Sequence, residues 1–101
     1  MSFDLSNEIR IIARTGKREY GIKKALKAAK SGKAKLFILA ANCMEDEKNQ
    51  IEYYASLAEI PVVTFDGTGY ELGALCGRAH VVAALSVYDP GDSKLLKALK
   101  K

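Results

Sequence analysis

The sequence is poor in residues that bind metals or form disulfides. Its 101 residues include two cysteines, Cys43 and Cys76, and one histidine, His80. The cysteines have neither a CxxC nor a zinc-like spacing, and one histidine cannot complete a tetrahedral site with them. We therefore expect no metal and no cofactor. We also expect two free, partly buried thiols in a reducing compartment.

Long apolar runs and leader segments are also missing. The longest apolar run, residues 36–41, is far shorter than the roughly 20 residues that a membrane helix needs. The first four residues lack the basic and apolar blocks of a signal peptide. No repeat, low-complexity tract or linker interrupts the chain. These absences predict one cytoplasmic domain over residues 1–101, with no membrane partner and a core of its own.

Catalytic and nucleotide-binding motifs are scarce as well. None of GxGxxG, GxxxxGK[ST], GxSxG or HExxH occurs. A hydrolase that uses His80 with Glu71 is the enzyme alternative, but no serine or cysteine is adjacent to His80, and a loop histidine is the commoner explanation. Core packing beside Leu72 and Leu75 explains Cys76 better than reactivity does. We therefore expect that the protein is not an enzyme.

The sequence does contain a strongly segregated charge. The formal net charge is +4, but residues 1–35 carry ten basic and three acidic side chains. Residues 36–71 carry one and seven, and residues 72–101 carry five and two. This segregation indicates one face that is much more positive than another. We expect the acidic middle third to lie on the side turned away from an anionic partner.

Helical and strand patterns alternate along the chain. Helices are predicted near residues 4–14, 21–31, 42–58, 68–77 and 94–99, and strands near 17–20, 35–40, 60–65 and 81–88. Thr68 and Glu71 fit a capping box. The alternation predicts an α/β fold, a three-layer α/β/α sandwich around a four-stranded mixed sheet in which parallel pairs predominate.

The second predicted helix places lysines beside its amino terminus. Lys23, Lys24 and Lys27 lie opposite its apolar stripe. A helix amino terminus presents unpaired N–H groups and a partial positive charge, and Gly21 has no side chain to keep a phosphate away. These features suit a nucleic-acid backbone. An ordinary solvated lysine face fits the same pattern, and composition does not separate the two.

Four stretches, residues 15–21, 34–42, 51–55 and 71–78, resemble a known family in their order and spacing. It is the "thirty-e" family of large-subunit ribosomal proteins, in its archaeal form, within the superfamily that binds kink-turn RNA. The resemblance covers essentially the whole chain. It implies a non-enzymatic component of the cytoplasmic ribosome, monomeric when free, whose partners are large-subunit ribosomal RNA and neighbouring ribosomal proteins.

The resemblance also implies which residues grip a sharply bent RNA internal loop. The amino end of the second helix, the turn after the second strand and the loop before the last strand would contact the RNA, and residues 71–73 would brace that surface from beneath. The implied set is Gly21, Ile22, Lys23, Lys24, Lys27, Asn42, Glu71, Leu72, Gly73, Arg78, His80 and Val81.

One pair of residues within this set bears on the choice of subgroup. Lys23 and Lys24 stand where the box-RNA-binding relatives carry an Asn-Glu pair, which favours the ribosomal subgroup. The alternatives are an assembly or regulatory adaptor that binds kink-turn RNA outside the ribosome, and a protein-interaction adaptor that docks through the acidic middle third.

Overall fold

The structure is a computed structural model, and it describes residues 5–78 and 81–95. Helices and strands alternate through the described residues: α1 (Leu5–Thr15), β1 (Lys17–Tyr20), α2 (Ile22–Ser31), β2 (Leu36–Ala40), α3 (Glu45–Leu57), β3 (Val62–Phe65), α4 (Gly69–Leu75) and β4 (Ala84–Asp89). The helix predicted near residues 94–99 lies mostly outside the described residues. The predicted order of the other eight elements is confirmed.

The four strands form one mixed sheet in the order β1-β4-β2-β3. Only one pair of neighbouring strands, β2 and β3, is parallel, because β4 lies between β1 and β2 and runs antiparallel to both. The mixed sheet is confirmed, but the prediction that parallel pairs predominate is wrong. Alternation of helices and strands along the chain leaves the direction of an inserted strand undetermined.

Helices cover both faces of the sheet, which confirms the three-layer sandwich. Strand residues alternate between two core clusters, as the pleat requires. One cluster, under α1 and α4, includes Ile9, Ile12, Leu36, Ile38, Leu72, Leu85 and Val87. The other, under α2 and α3, includes Ala25, Ala29, Phe37, Leu39, Ile51 and Ala84. The central strand β2 is buried on both faces along its whole length.

Helix α3 and strand β4 begin later than their apolar patterns predict, and both elements begin at the same end of the sheet. Helix α3 begins at Glu45 rather than at Asn42, because residues 41–43 form a turn in which the Cys43 N–H donates to the Ala40 carbonyl at 3.0 Å. Strand β4 begins at Ala84 rather than at Val81, because the Val82 N–H donates to the Gly69 carbonyl at 2.9 Å. Both segments become loops.

None of the helices in the described ranges is long and apolar enough to cross a membrane. Within the same ranges, no group of three or more histidine, cysteine or acidic side chains is arranged to hold a metal ion. Cys43 is buried, Cys76 is half-buried, and both are free thiols, as predicted.

Candidate nucleic-acid interface

The topology brings three separate segments of the chain to one end of the sheet. Because β4 runs opposite to its neighbours, the chain leaves β1, β2 and β3 at the same end at which it enters β4. The Gly21 N–H donates to the Ala84 carbonyl at 2.9 Å, and the Ala40 N–H donates to the Ala83 carbonyl at 2.9 Å. The amino end of α2, the turn after β2 and the loop before β4 are therefore neighbours.

Gly21 leaves the amino terminus of α2 open. It has φ 113° and ψ 151°, and it offers no side chain to cap the helix. A Cβ built on Gly21 would meet no atom of the described residues within 4 Å, so none of these residues fills the space in front of the helix. The first-turn N–H groups and the positive end of the helix dipole thus lie beside an accessible surface, where an anion is favoured.

The three predicted lysines are exposed, but they do not all share one groove. Lys23 and Lys27 line a shallow depression along the outside of α2 together with Leu26 and Lys30. Lys24 lines a different depression, which it shares with Lys27 and the carboxylate-bearing Glu19. Ile22 is half-buried and packs on the cluster under α2 and α3, so only its backbone is suited to meet a ligand.

Asn42 ties the turn after β2 to the start of α4. Its Oδ1 accepts a hydrogen bond from the Gly69 N–H at 2.9 Å. Gly69 is itself packed so tightly that an added Cβ would lie 2.8 Å from the Val81 Cγ1. The loop that leads into β4 therefore rests directly on the start of α4. Asn42 is exposed, so the same side chain also lies on the surface.

The segment from Glu71 to Gly73 supports this surface rather than forming it. Glu71 completes the predicted capping box, because its N–H donates to Thr68 Oγ1 at 3.1 Å and its carboxylate accepts from the Thr68 N–H at 3.0 Å. Leu72 is fully buried, and the Gly73 carbonyl accepts a hydrogen bond from the Arg78 N–H at 2.9 Å. These contacts fix where the chain leaves α4.

Arg78 lies over an aromatic ring at the end of β1. Its guanidinium carbon is 4.5 Å from the centre of the Tyr20 ring, within the range of a cation–π contact. Arg18 Nε donates to the Tyr20 hydroxyl at 3.0 Å. Burial raises the pKa of the Cys76 thiol, although the nearby Arg18 and Arg78 guanidiniums oppose the rise. The sequence analysis included Arg78 but missed Arg18 and Tyr20. These two residues are two positions apart on β1, a spacing that predicts that their side chains lie on the same face of the strand.

Exposed apolar side chains also occur at the starts of α3 and α4 and in the loop before β4. Val81, Tyr70 and Met44 expose 66%, 68% and 68% of their surface, respectively. Sequence reasoning included Val81 but missed Tyr70 and Met44. His80 lies outside the described residues, so its predicted position stays a prediction.

The acidic middle third is not turned away as a block. Helix α3 packs beside α2 in the same layer, and Lys30 Nζ lies 5.5 Å from the centre of the Tyr54 ring on α3. The acidic first turn of α3 begins at Glu45, shortly after β2 ends, and so lies at the same end of the sheet as Gly21. The expectation that the acidic third faces away failed, because the short loop after β2 and the packing of α3 beside α2 keep the acidic first turn of α3 close to the amino end of α2. Phosphates are therefore favoured on the α2 side of this end and disfavoured beside α3.

Comparisons with known proteins find relatives whose sequences match this chain along most of its length. The model of the "Ribosomal protein L7Ae/L30e/S12e/Gadd45 family" matches residues 4–97. A protein of Methanothermobacter thermautotrophicus named large ribosomal subunit protein eL30 is 47% identical over 94 residues, which are 93% of this chain and 96% of that protein. A protein of Lupinus luteus with the same name is 41% identical and covers 94% of this chain and 85% of its own length.

A solved structure extends the similarity at the level of the fold. A protein of unknown function from Bacillus halodurans aligns with a TM-score of 0.73 at 24% identity. The alignment covers 94% of this chain and 95% of that one. The α/β sandwich is thus shared well beyond the similar sequences.

Proposed function

Because the chain belongs to the ribosomal protein L7Ae/L30e/S12e/Gadd45 family, we propose that it is a structural component of the large ribosomal subunit and binds a bent, kink-turn-like internal loop of ribosomal RNA. The names of the relatives support the ribosomal assignment. The family assignment also makes the chain a non-enzymatic protein. Its partners are then large-subunit ribosomal RNA and the ribosomal proteins that surround it.

The observation that carries the RNA proposal is the open amino terminus of α2 beside Gly21. Clear space in front of that residue lets a phosphate approach the first-turn N–H groups. Lys23 and Lys27, one turn apart on the exposed side, add positive charge along the path of the backbone. A sharp bend crowds phosphates together, so a site that combines backbone donors with lysines favours the bent form over the straight one.

Recognition of an unstacked base falls to the turn after β2, the loop before β4 and the start of α4. Sequence-specific RNA recognition uses bulges and loops, whose bases can leave the stack and meet apolar or aromatic surface. Val81 and Tyr70 offer such surface, and Asn42 offers an exposed amide close to it. His80, which precedes Val81 in the sequence, remains a candidate for a stacking contact.

Hydrogen bonds beneath this surface join its segments in the free protein. The Asn42–Gly69 and Val82–Gly69 hydrogen bonds join the turn after β2, the start of α4 and the loop before β4. A preformed surface loses little conformational entropy on binding, so more of the contact energy remains for bending the RNA.

The test is a titration of a short kink-turn RNA beside a straight duplex of the same length, each at two salt concentrations. We expect tight, salt-dependent binding to the kink-turn and weaker binding to the duplex. Lys23→Ala and Lys27→Ala should each weaken binding and reduce the slope of log K against log salt by about 1. Slopes that do not change in either variant would exclude the lysines from the interface, and equal affinity for both RNAs would refute recognition of the bend.

A further inference from the structure

Arginine and lysine are distributed very differently in this protein. The chain has 16 basic residues in total, of which only four are arginine: Arg10, Arg14, Arg18 and Arg78. The structure places all four around α1, the end of α4 and β1. We call this set the arginine arc. Arg10, Arg14 and Arg18 are close in sequence, and the fold brings the distant Arg78 to them.

A groove between α1 and α4 forms one end of the arginine arc. Its volume is about 330 Å³, and it is lined by Arg10, Ala13, Arg14, Ala74, Leu75, Cys76 and Gly77. Arg10 and Arg14 are four residues apart on α1, so they lie on the same side of the helix, about 6 Å apart along its axis. None of these lining residues is acidic. Within the described part of the chain, neither arginine is paired with a carboxylate.

The other end of the arc reaches the proposed RNA site. Gly77 in the groove is followed directly by Arg78, whose guanidinium lies over the Tyr20 ring at 4.5 Å. Arg18 contacts the same ring at 5.6 Å. Tyr20 immediately precedes Gly21, so Arg18 and Arg78 lie between the amino end of α2 and the groove on α1.

We infer that the arginine arc binds the phosphate backbone of an RNA helix that continues from the bent element. The acidic first turn of α3 disfavours phosphates on the opposite side of the proposed site, which leaves the α1 side as the favoured path. Guanidinium groups pair with phosphates in a bidentate geometry that lysine does not provide. The α1–α4 groove thus serves as a second contact that lengthens the RNA footprint. This inference rests on the proposed function.

The test compares a minimal kink-turn RNA with one in which each flanking helix is extended in turn. For the double variant R10Q/R14Q, we expect unchanged affinity for the minimal RNA. For one of the extended RNAs, we expect a loss on the order of tenfold and a salt slope lower by about 2. The matched control K17Q/K35Q removes the same charge from exposed residues at the start of β1 and just before β2, at the opposite end of the sheet, and should bind both RNAs like the wild type. R10K/R14K, which keeps the charge, should retain the salt slope.

The outcomes are distinguishable. Unchanged binding of R10Q/R14Q to every extended RNA, or an equal loss on minimal and extended RNAs, would overturn the second contact while leaving the proposed function intact. An equal loss in K17Q/K35Q would assign the effect to net charge alone and also overturn the second contact. Failure of the wild-type protein to prefer kink-turn RNA would refute the proposed function itself, and this inference with it.

Discussion

Replacing Gly21 by alanine separates the role of this residue in folding from its role in binding. Its φ of 113° and ψ of 151° lie in a region that is essentially restricted to glycine, where another residue costs on the order of 1–3 kcal/mol. The added methyl group meets no atom within 4 Å in the described part of the chain, so the cost there is backbone strain without a collision. A domain of this size has a free energy of unfolding of roughly 5–15 kcal/mol, so Gly21→Ala should remain folded.

The matched control is Gly32→Ala at the other end of the same helix. Gly32 has φ 68° and ψ 22°, the left-handed conformation of a helix carboxyl cap, where alanine costs about 1–2 kcal/mol. Urea unfolding should therefore show both variants to be destabilised by similar amounts. Only Gly21→Ala should lose kink-turn RNA affinity, on the order of tenfold, because its methyl group fills the space in front of the α2 N–H groups.

Two results would refute this reasoning. If Gly21→Ala binds RNA as tightly as Gly32→Ala at a temperature where both are folded, the amino end of α2 is not the phosphate site. If Gly21→Ala unfolds at the same urea concentration as the wild type, the backbone conformation assigned to Gly21 is wrong.

Three further predictions concern the supports of the fold. Asn42→Ala removes the acceptor of the Gly69 N–H, so it should lower the free energy of unfolding by about 1–2 kcal/mol in urea denaturation. It should also weaken RNA binding. An unchanged free energy of unfolding would show that the Asn42–Gly69 hydrogen bond does not support the site. Ser86 is fully buried, and its Oγ has no hydrogen-bond partner among the described residues, so Ser86→Ala should be neutral or raise the melting temperature; a large decrease would contradict this. Burial, the 2.6 Å hydrogen bond to Glu19 and the charge of Glu19 raise the pKa of Tyr88 from 10.0 to about 12. The neutral phenol is the stabilised form. Its contribution to the free energy of unfolding is therefore complete below pH 10 and disappears as the pH rises toward 12. Tyr88→Phe should flatten that decline in pH-dependent melting curves.

The elements of this fold were predictable where a local signal fixes them. Ser31-Gly32 ends α2 as predicted, and the Thr68–Glu71 capping box begins α4 because both partners lie within one turn. The apolar run that forms β2 predicted a strand buried on both faces. Such signals depend on neighbours three or four residues away, and a single sequence contains them in full.

The features that sequence reasoning missed depend on distant partners. The direction of β4 follows from its insertion between β1 and β2, which no local pattern encodes. The apolar residue Val81 looked like part of a strand, yet it lies on the start of α4 because Gly69 leaves room for it. The Tyr20–Arg78 contact joins residues 58 positions apart, so the sequence supplied the arginine but not the ring it meets.

The central claim, that the protein recognises a bent RNA and stabilises the bend, is tested most directly by fluorescence resonance energy transfer. A kink-turn RNA carries a donor and an acceptor at the ends of its two helices, at a salt concentration where the free RNA is mostly extended. Adding the protein should raise transfer efficiency to a saturating value, because the bent form brings the helix ends together. A straight duplex of equal length should show no change. If the protein binds the kink-turn RNA without raising transfer, it does not stabilise the bend, and the account is contradicted.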